Sequence, residues 1–362
     1  MTEDASSTIS LPDRTLSRPI LGRLAPFVNT PLNAVLTLVL LWLILRTGWI
    51  LLEWAIFDAA FLPANPESCK AATGACWSFV IAKSGQILFG IYPPSERWRA
   101  GLVCALILVT LVVSARPSSW RPWLGVTWVA MMAIVLWLMG GGLGLSPVPS
   151  SSWGGLPVTL ILTVFAIGLG FPIAILLALG RRSGLPVVRT FSVIVIETIR
   201  GLPLLSLLFV ASILLPLLLP EWLLPDKFVR ALIALTIFSA AYMAEVIRGG
   251  LQSIPRGQSE AAKALGLGYW KMQRLIILPQ AIRIVIPALT NTIIVMIKNT
   301  SLVLVVGLFD LISSGKAALS DPEWPAPSTE TFLFIGLIYF ALAFSFARFA
   351  DFLEHSGMEK RG

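Results

Sequence analysis

The sequence predicts an all-α integral membrane protein with eight transmembrane helices. Of its 362 residues, 56% are hydrophobic and only 13% are charged, whereas soluble proteins carry about 25% charged residues. Apolar runs of roughly the 20 residues that a bilayer requires recur along the chain. Many of the 13 tryptophans lie near the ends of these runs, where membrane proteins concentrate aromatic side chains.

Eight apolar segments are predicted to cross the membrane. They are residues 32–52, 100–115, 124–140, 156–179, 188–219, 228–248, 284–308 and 331–352. The fifth segment is too long for one straight span, and it contains the run Arg200-Gly201-Leu202-Pro203. Because proline breaks the hydrogen bonding of a helix, we expect a helix, a kink and a second helix there.

The spans group into two regions separated by a linker. We expect residues 1–31 to form a cytoplasmic tail, because they lack the apolar core and cleavage site of a signal peptide. The expected order is then an accessory transmembrane region (32–140) with a periplasmic loop at about 53–99, a Gly- and Ser-rich linker (141–155), a transmembrane core (156–355) and a cytoplasmic tail (356–362).

The basic residues predict the orientation. With both termini in the cytoplasm, most of the 27 lysines and arginines fall in cytoplasmic segments, as the positive-inside rule requires. The net charge of +8 therefore reflects membrane orientation. The basic residues form no patch interleaved with aromatic residues, so we expect no nucleic-acid partner.

Two cysteines, Cys69 and Cys76, lie in the expected periplasmic loop. Disulfides persist in that compartment, so the pair is predicted either to form a disulfide or to remain as two free thiols. No metal site is predicted, because the only histidine is His355, far from both cysteines. We interpret Cys104, inside an apolar span, as a small buried hydrophobic residue.

The segment from residue 253 to 283 is too polar to cross a bilayer, and it lies between two apolar spans. Good helix formers from Gln258 to Leu265 predict a short solvated helix with Pro255 in its first turn. Gly266 and Gly268 follow, at the point where the helix must stop and the chain must bend.

A second short helix is predicted from about Tyr269 to Leu278-Pro279. Its apolar residues can face apolar surroundings while its charged residues face solvent. The two helices together form a surface element that is small enough to fit a groove on a soluble partner.

This segment carries a resemblance to a known family. Its motif residues Glu260-Ala261-Ala262, Gly266 and Ile277-Leu278-Pro279 resemble the EAA loop of bacterial ABC-transporter permease subunits, which docks into an ATPase subunit. The flanking runs EVIRGG (245–250) and KNTSL (298–302) resemble the polar amino-acid branch of that family. The resemblance covers roughly residues 153–355, and the long N-terminal extension resembles the M subunit of general L-amino-acid permeases.

The resemblance implies a subunit of an ATP-driven importer of L-amino acids in the bacterial inner membrane. It implies as partners an ATPase homodimer, a second related permease subunit forming a heterodimer, and a periplasmic amino-acid-binding protein. No cofactor is expected. The residues to which it assigns ATPase coupling are Glu260, Ala261, Ala262, Gly266, Gly268, Leu278 and Pro279.

Charged groups inside predicted spans are candidates for a gate, because each costs a few kcal/mol in a bilayer. Glu197 and Arg200 share a helical face just before the break at Gly201–Pro203, and Glu245 and Arg248 repeat their spacing. Each carboxylate either neutralises an arginine, its own or one across the bundle, or takes part in a gate at the break.

A second polar group, Lys298-Asn299-Thr300-Ser301, is predicted about midway along the seventh span. Its hydroxyl and amide groups either bond back to the backbone and to neighbouring helices or line the translocation path, where a carboxylate needs hydrogen-bond donors.

The chain is not predicted to be an enzyme. It contains no G-x-x-x-x-G-K-[ST] run, so ATP hydrolysis is expected from another polypeptide. Two other function classes stay open, an ion-gradient-driven secondary transporter and a membrane scaffold that binds a soluble partner without transport. Sensitivity of uptake to vanadate would separate ATP-driven transport from both.

Overall fold

The computed structural model describes residue 27 and residues 29–119, 121 and 123–359. The described chain is almost entirely helical. Its α-helices are α1 (Pro31–Leu52), α2 (Pro66–Ala71), α3 (Trp77–Phe89), α4 (Arg97–Ser114), α5 (Trp123–Gly140), α6 (Gly155–Arg181), α7 (Pro186–Gly201), α8 (Leu204–Phe209), α9 (Leu215–Leu218), α10 (Lys227–Gln252), α11 (Arg256–Ala264), α12 (Tyr269–Met272), α13 (Leu278–Asn299), α14 (Leu311–Leu319) and α15 (Ser328–Glu359).

Seven described helical segments are long and apolar enough to cross a membrane. The bent pair of α7 with α8–α9 makes an eighth if it is counted as one span. The predicted all-α membrane fold is therefore confirmed. The break also lies where the sequence placed it, because the pair bends by 103° between Gly201 and Leu204, with Pro203 in extended geometry.

The described chain divides into two compact units. The first runs to Ala60 and includes Ala71–Ala75. In it, α1 begins where the Thr30 side chain accepts a hydrogen bond from the Asn33 N–H at 3.2 Å, and it has no buried side chain. The helix continues into a π-helical turn at Glu53–Phe57.

The second unit contains Phe61–Lys70 and the chain from Cys76 onward. Its centre is the pair α6 and α10, which approach closely at Gly170. A Cβ atom at Gly170 would lie 2.5 Å from Ser239 Oγ and 3.1 Å from the Thr236 carbonyl, so only glycine fits this contact. Small residues at a helix interface are typical of membrane helix packing.

Helices α4 and α5 pack on α6 in one apolar cluster with Val103, Ile107, Met131 and Val135 among its buried residues. The segment between α5 and α6, expected as a linker, is fixed by polar contacts. Fully buried Arg99 donates to the Ser146 carbonyl at 3.0 Å.

Residues 53–99 contain more regular structure than the sequence suggested. No helix was expected there, yet α2 and α3 lie within this range. Helix α3 forms because Phe79, Val80 and Ile87 are buried in a cluster with residues of α14 and α15. Phe79 packs edge-on against Trp324, with ring centroids 5.3 Å apart. Such a tertiary contact is invisible to local sequence patterns.

A two-residue strand, β1 (Phe309–Asp310), precedes α14 and pairs in parallel with Gly154 and Gly155. Asp310 is fully buried. Its carboxylate accepts hydrogen bonds from the Ser313 N–H at 2.9 Å and from the Ile312 N–H at 3.2 Å. This cap satisfies backbone donors that the start of α14 would otherwise leave unpaired.

Candidate coupling loop and transport path

The coupling loop, residues 253–283, contains α11, α12 and the start of α13. Pro255 precedes α11 in extended geometry. It therefore lies just before the first helical turn, whereas the sequence predicted it within that turn. Ala262 is 1% exposed, and it is buried in a cluster with Leu251, Met272 and Ala281. This alanine therefore anchors α11 on the ends of α10 and α13, while Glu260 stays exposed.

Gly266 ends α11 with a φ of +72°, the left-handed region that favours glycine. The N–H of Leu267 donates to the Ala262 carbonyl at 3.1 Å, and the N–H of Gly266 to the Lys263 carbonyl at 2.9 Å. These bonds close the helix end in the manner typical of a glycine C-cap. Gly268 is extended, with φ −66° and ψ 160°, so its backbone does not require glycine.

The second helix of the loop does not end at Leu278-Pro279, and that prediction was wrong. The chain passes from α12 through a π-helical turn, Gln273–Ile277, directly into α13. The wide turn accommodates Pro279, which lacks an N–H and would clash with the carbonyl four residues earlier in a regular helix. The Gln280 side chain donates to the Ile276 carbonyl at 2.8 Å and to Gln258 Oε1 at 3.2 Å, so it also links α13 to α11.

The charged residues of the membrane core form a network that combines both predicted kinds of ion pair, one with a carboxylate's own arginine and one with an arginine across the bundle. Arg181, at the end of α6, contacts Glu197 Oε1 at 2.6 Å and Glu245 Oε2 at 3.3 Å. Glu245 also holds its own neighbour Arg248 through two hydrogen bonds, of 2.9 and 2.5 Å. Three helices, α6, α7 and α10, are therefore tied together by Arg181.

Arg200 pairs with no carboxylate in the described part of the chain. Its guanidinium lies 5.9 Å from the ring centroid of Tyr242, in the range of a cation–π contact. Tyr242 in turn lines a groove of about 280 Å³ between α10 and α13. The other lining residues are Phe238, Asn291, Thr292, Val295 and Met296.

The Lys298–Ser301 group lies where α13 ends, whereas the sequence predicted it about midway along the seventh span. The α-helix ends because hydroxyl groups compete for its carbonyls. Thr300 Oγ1 donates to the Ile297 carbonyl at 2.7 Å and Ser301 Oγ to the Lys298 carbonyl at 2.9 Å. A 3₁₀ turn, Thr300–Val306, follows. Lys298 is exposed, Asn299 is half-buried and Thr300 is fully buried.

Cys69 and Cys76 lie with their Cα atoms 5.2 Å apart, a separation that a disulfide can bridge. The Cys76 N–H donates to Glu330 Oε1 at 2.8 Å. The cysteine pair therefore lies against the start of α15, inside the same cluster that buries Phe79.

Comparisons with known proteins place this arrangement in a family. The family described as a binding-protein-dependent transport system inner membrane component matches residues 170–356. This chain belongs to that family. It is an amino-acid ABC transporter permease and a multi-pass membrane protein.

The permease is similar to relatives over almost its whole length. The inner membrane amino-acid ABC transporter permease protein YhdY of Escherichia coli K12 is 44% identical over 89% of this chain and 88% of the relative. The glutamate/glutamine/aspartate/asparagine transport system permease protein BztC of Rhodobacter capsulatus is 36% identical over 90% of each. A solved structure described as an amino acid ABC transporter with histidines is 34% identical, with a TM-score of 0.49 over 56% of this chain and 92% of that chain.

Sequence reasoning about the permease missed the residues that join different helices. Arg181 follows a long apolar run, so the sequence places it only at a cytoplasmic end of a span and indicates no partner for it. Tyr242, Asn291 and Thr292 have no local signal, because a groove between α10 and α13 depends on how the two helices pack.

Proposed function

We propose that the permease is the membrane subunit of an ATP-driven importer of L-amino acids, powered by a separate ATPase that docks on the coupling loop. The observation that carries this proposal is the exposure of apolar side chains on that loop. Leu265, Trp270 and Leu275 are 76%, 66% and 64% exposed. An exposed apolar patch rimmed by polar residues is typical of a protein-binding site.

The contacts of the loop would also transmit a movement of α11 to the membrane helices. Ala262 is buried against α10 and α13, and Gln280 joins α11 to α13. A displacement of α11 by the ATPase would therefore pull on both helices that line the groove. The exposed residues Glu260 and Ala261 lie on the same short helix and would face the ATPase.

The names of two relatives support the proposed substrate class. YhdY is named as an amino-acid transporter permease, and BztC is named for glutamate, glutamine, aspartate and asparagine. We propose L-amino acids as substrates here. The partners proposed are an ATPase homodimer, a second related permease subunit and a periplasmic amino-acid-binding protein.

The groove between α10 and α13 is the proposed translocation path. It combines aromatic rings with the amide of Asn291 and the hydroxyl of Thr292, groups that can hydrogen-bond a polar solute. Arg200 lies against the Tyr242 wall, next to the break at Pro203 where the helix bends. We propose that Arg181, Glu197 and Glu245 hold α6, α7 and α10 together beside this path and act as a gate.

The proposed orientation places both termini in the cytoplasm and Cys69 and Cys76 outside, joined by a disulfide. In intact cells, a membrane-impermeant maleimide should label neither residue until a reductant is added. Immediate labelling would show free thiols. Labelling that requires permeabilised cells would contradict the orientation.

ATPase activity of the reconstituted complex tests the function directly. A binding protein loaded with the transported L-amino acid should stimulate ATP hydrolysis, and vanadate should block both hydrolysis and uptake. Uptake that proceeds without ATP, driven by an ion gradient, would defeat the proposal. So would binding of the ATPase with no amino acid accumulated.

A further inference from the structure

Arg230 is a buried cation near the start of α10, at the end of the helix that the proposed orientation places outside. Its side chain is 7% exposed. Its guanidinium donates one hydrogen bond, from Nη1 to the Ser212 carbonyl at 3.1 Å. Among the described residues, its Nε is buried without a hydrogen-bond partner, and so is the hydroxyl of Ser212.

No carboxylate of the described chain neutralises this cation. The nearest along the helix is Asp226, one turn earlier. Its Oδ1 accepts from the Phe228 N–H at 3.0 Å and its Oδ2 from the Ser150 hydroxyl. Asp226 therefore serves as the cap of α10 and not as the counter-charge of Arg230.

An unpaired cation at this position is unfavourable for two reasons. A buried charge costs several kcal/mol unless it is paired and hydrogen-bonded. The start of a helix also carries a partial positive charge that favours anions and disfavours cations. An anion that binds beside the guanidinium would offset both unfavourable effects.

The π-helical turn Val210–Leu214 lies next to this guanidinium, because the Ser212 carbonyl in the turn accepts the Arg230 hydrogen bond. Such turns are rare and often lie at functional sites. This turn presents Ser212, which offers a hydroxyl donor next to the carbonyl that Arg230 already holds. A guanidinium and a hydroxyl together match the two oxygens of a carboxylate.

We propose that Arg230 and Ser212 form a carboxylate-binding site between α10 and the π-helical turn, separate from the groove between α10 and α13. The identity of its ligand as the α-carboxylate of a transported amino acid rests on the proposed function. The site would receive the amino acid as it enters from the outer side, before it reaches the groove.

The test uses the complete transporter in lipid nanodiscs and acetate as the probe. Sodium acetate should raise the Tm of the wild-type complex in a saturable way, above the effect of sodium chloride at equal ionic strength. Arg230→Gln should raise the acetate concentration that gives a half-maximal Tm shift at least about tenfold, which corresponds to the loss of one hydrogen bond to a charged group. Lys227→Gln, which removes an exposed cation one turn earlier, should keep it.

Ser212→Ala provides a second test of the site if Arg230→Gln does not fold. This variant removes only the unpartnered hydroxyl, so it should keep the Tm measured in chloride and shift the acetate midpoint several-fold upward. Equal effects of acetate and chloride on the wild type would overturn the proposal. An undiminished acetate response in Ser212→Ala or Arg230→Gln would also overturn it.

The same preparation separates this inference from the proposed function. If the wild-type complex imports amino acids but its Tm does not respond to acetate, the carboxylate site is ruled out and the proposed function stands. If the complex responds to acetate through Arg230 but imports no amino acid, the carboxylate-binding site stands and the proposed function is ruled out.

Discussion

Arg181, the last residue of α6, lies 2.6 Å from Glu197 on α7. The same guanidinium contacts Glu245 on α10, so one cation joins three helices. Arg181→Gln should lower the stability of the complex by up to about 1 kcal/mol, because two partly exposed carboxylates lose the cation that pairs with them.

The matched control is Arg189→Gln on α7. Arg189 is exposed and forms no ion pair within the described chain, so its loss should leave the Tm unchanged. Thermal unfolding of the purified complex measures both. Equal Tm values for the two variants would show that the Arg181 network contributes nothing.

Sequence periodicity found both carboxylates of this network and the partner Arg248, but it did not find the partner Arg181. A spacing of three places Glu197 and Arg200 on one helical face, and it correctly joined Glu245 to Arg248. It could not show that Arg181, at the end of a different helix, lies closer to Glu197. Pairing across a bundle depends on helix rotation and crossing, which one sequence does not encode locally.

The fold was more predictable than the site. Apolar runs predicted the spans, and Pro203 predicted the position of the 103° bend. Both signals are local, because each depends only on residues that are adjacent in the sequence. Helix α3 was missed because its burial depends on Trp324, far along the sequence. The end of α13 was missed because hydroxyl bonds to the Ile297 and Lys298 carbonyls compete with an otherwise apolar helical pattern.

Replacing Gly266 should weaken the binding of the ATPase to the coupling loop. Its φ of +72° disfavours a side chain by roughly 1–2 kcal/mol, and valine resists it most. Gly266→Val should reduce the amount of ATPase that co-purifies with the permease. Gly268→Ala, at an extended position with open space around it, should retain the ATPase. Loss of ATPase binding in both variants would mean that the backbone conformation of Gly266 is not the cause.

Lys298 should be needed for transport more than for assembly. It is exposed at the end of α13 and has no ion-pair partner in the described chain, so Lys298→Met removes a donor without orphaning a carboxylate. Uptake should fall at least about tenfold, the value of one charged hydrogen bond, while ATPase association stays intact. Arg46→Met, which removes another exposed cation within a span, should keep uptake. Recovery of transport in a Lys298→Met, Glu245→Gln double variant would instead indicate a structural pairing.

Asp321 and Lys83 should make stability depend on pH in the acidic range. The hydrogen bond from Lys83 holds the pKa of the Asp321 carboxyl below its ordinary value of 3.8. The folded state therefore favours the carboxylate, and the contribution is complete above pH 3.8 and lost as the pH falls through the lowered pKa. Asp321→Asn should lower the Tm modestly at pH 7, and the gap should close in strong acid.

The neighbouring variant Glu323→Gln is the control for this pH dependence, because Glu323 is exposed and forms no ion pair among the described residues. It should unfold like the wild type at every pH. A gap between wild type and Asp321→Asn that stays constant into strong acid would contradict the role of the Lys83 contact.

Charge reversal at Glu260 tests the central claim, that a separate ATPase drives transport through the coupling loop. Glu260→Lys should leave the permease inserted, because the side chain is exposed, yet it should sharply reduce both ATPase co-purification and vanadate-sensitive uptake of L-amino acids. Glu323→Lys, a reversal outside the loop, should keep ATPase binding. Full ATPase association and undiminished ATP-driven uptake in Glu260→Lys would contradict the account.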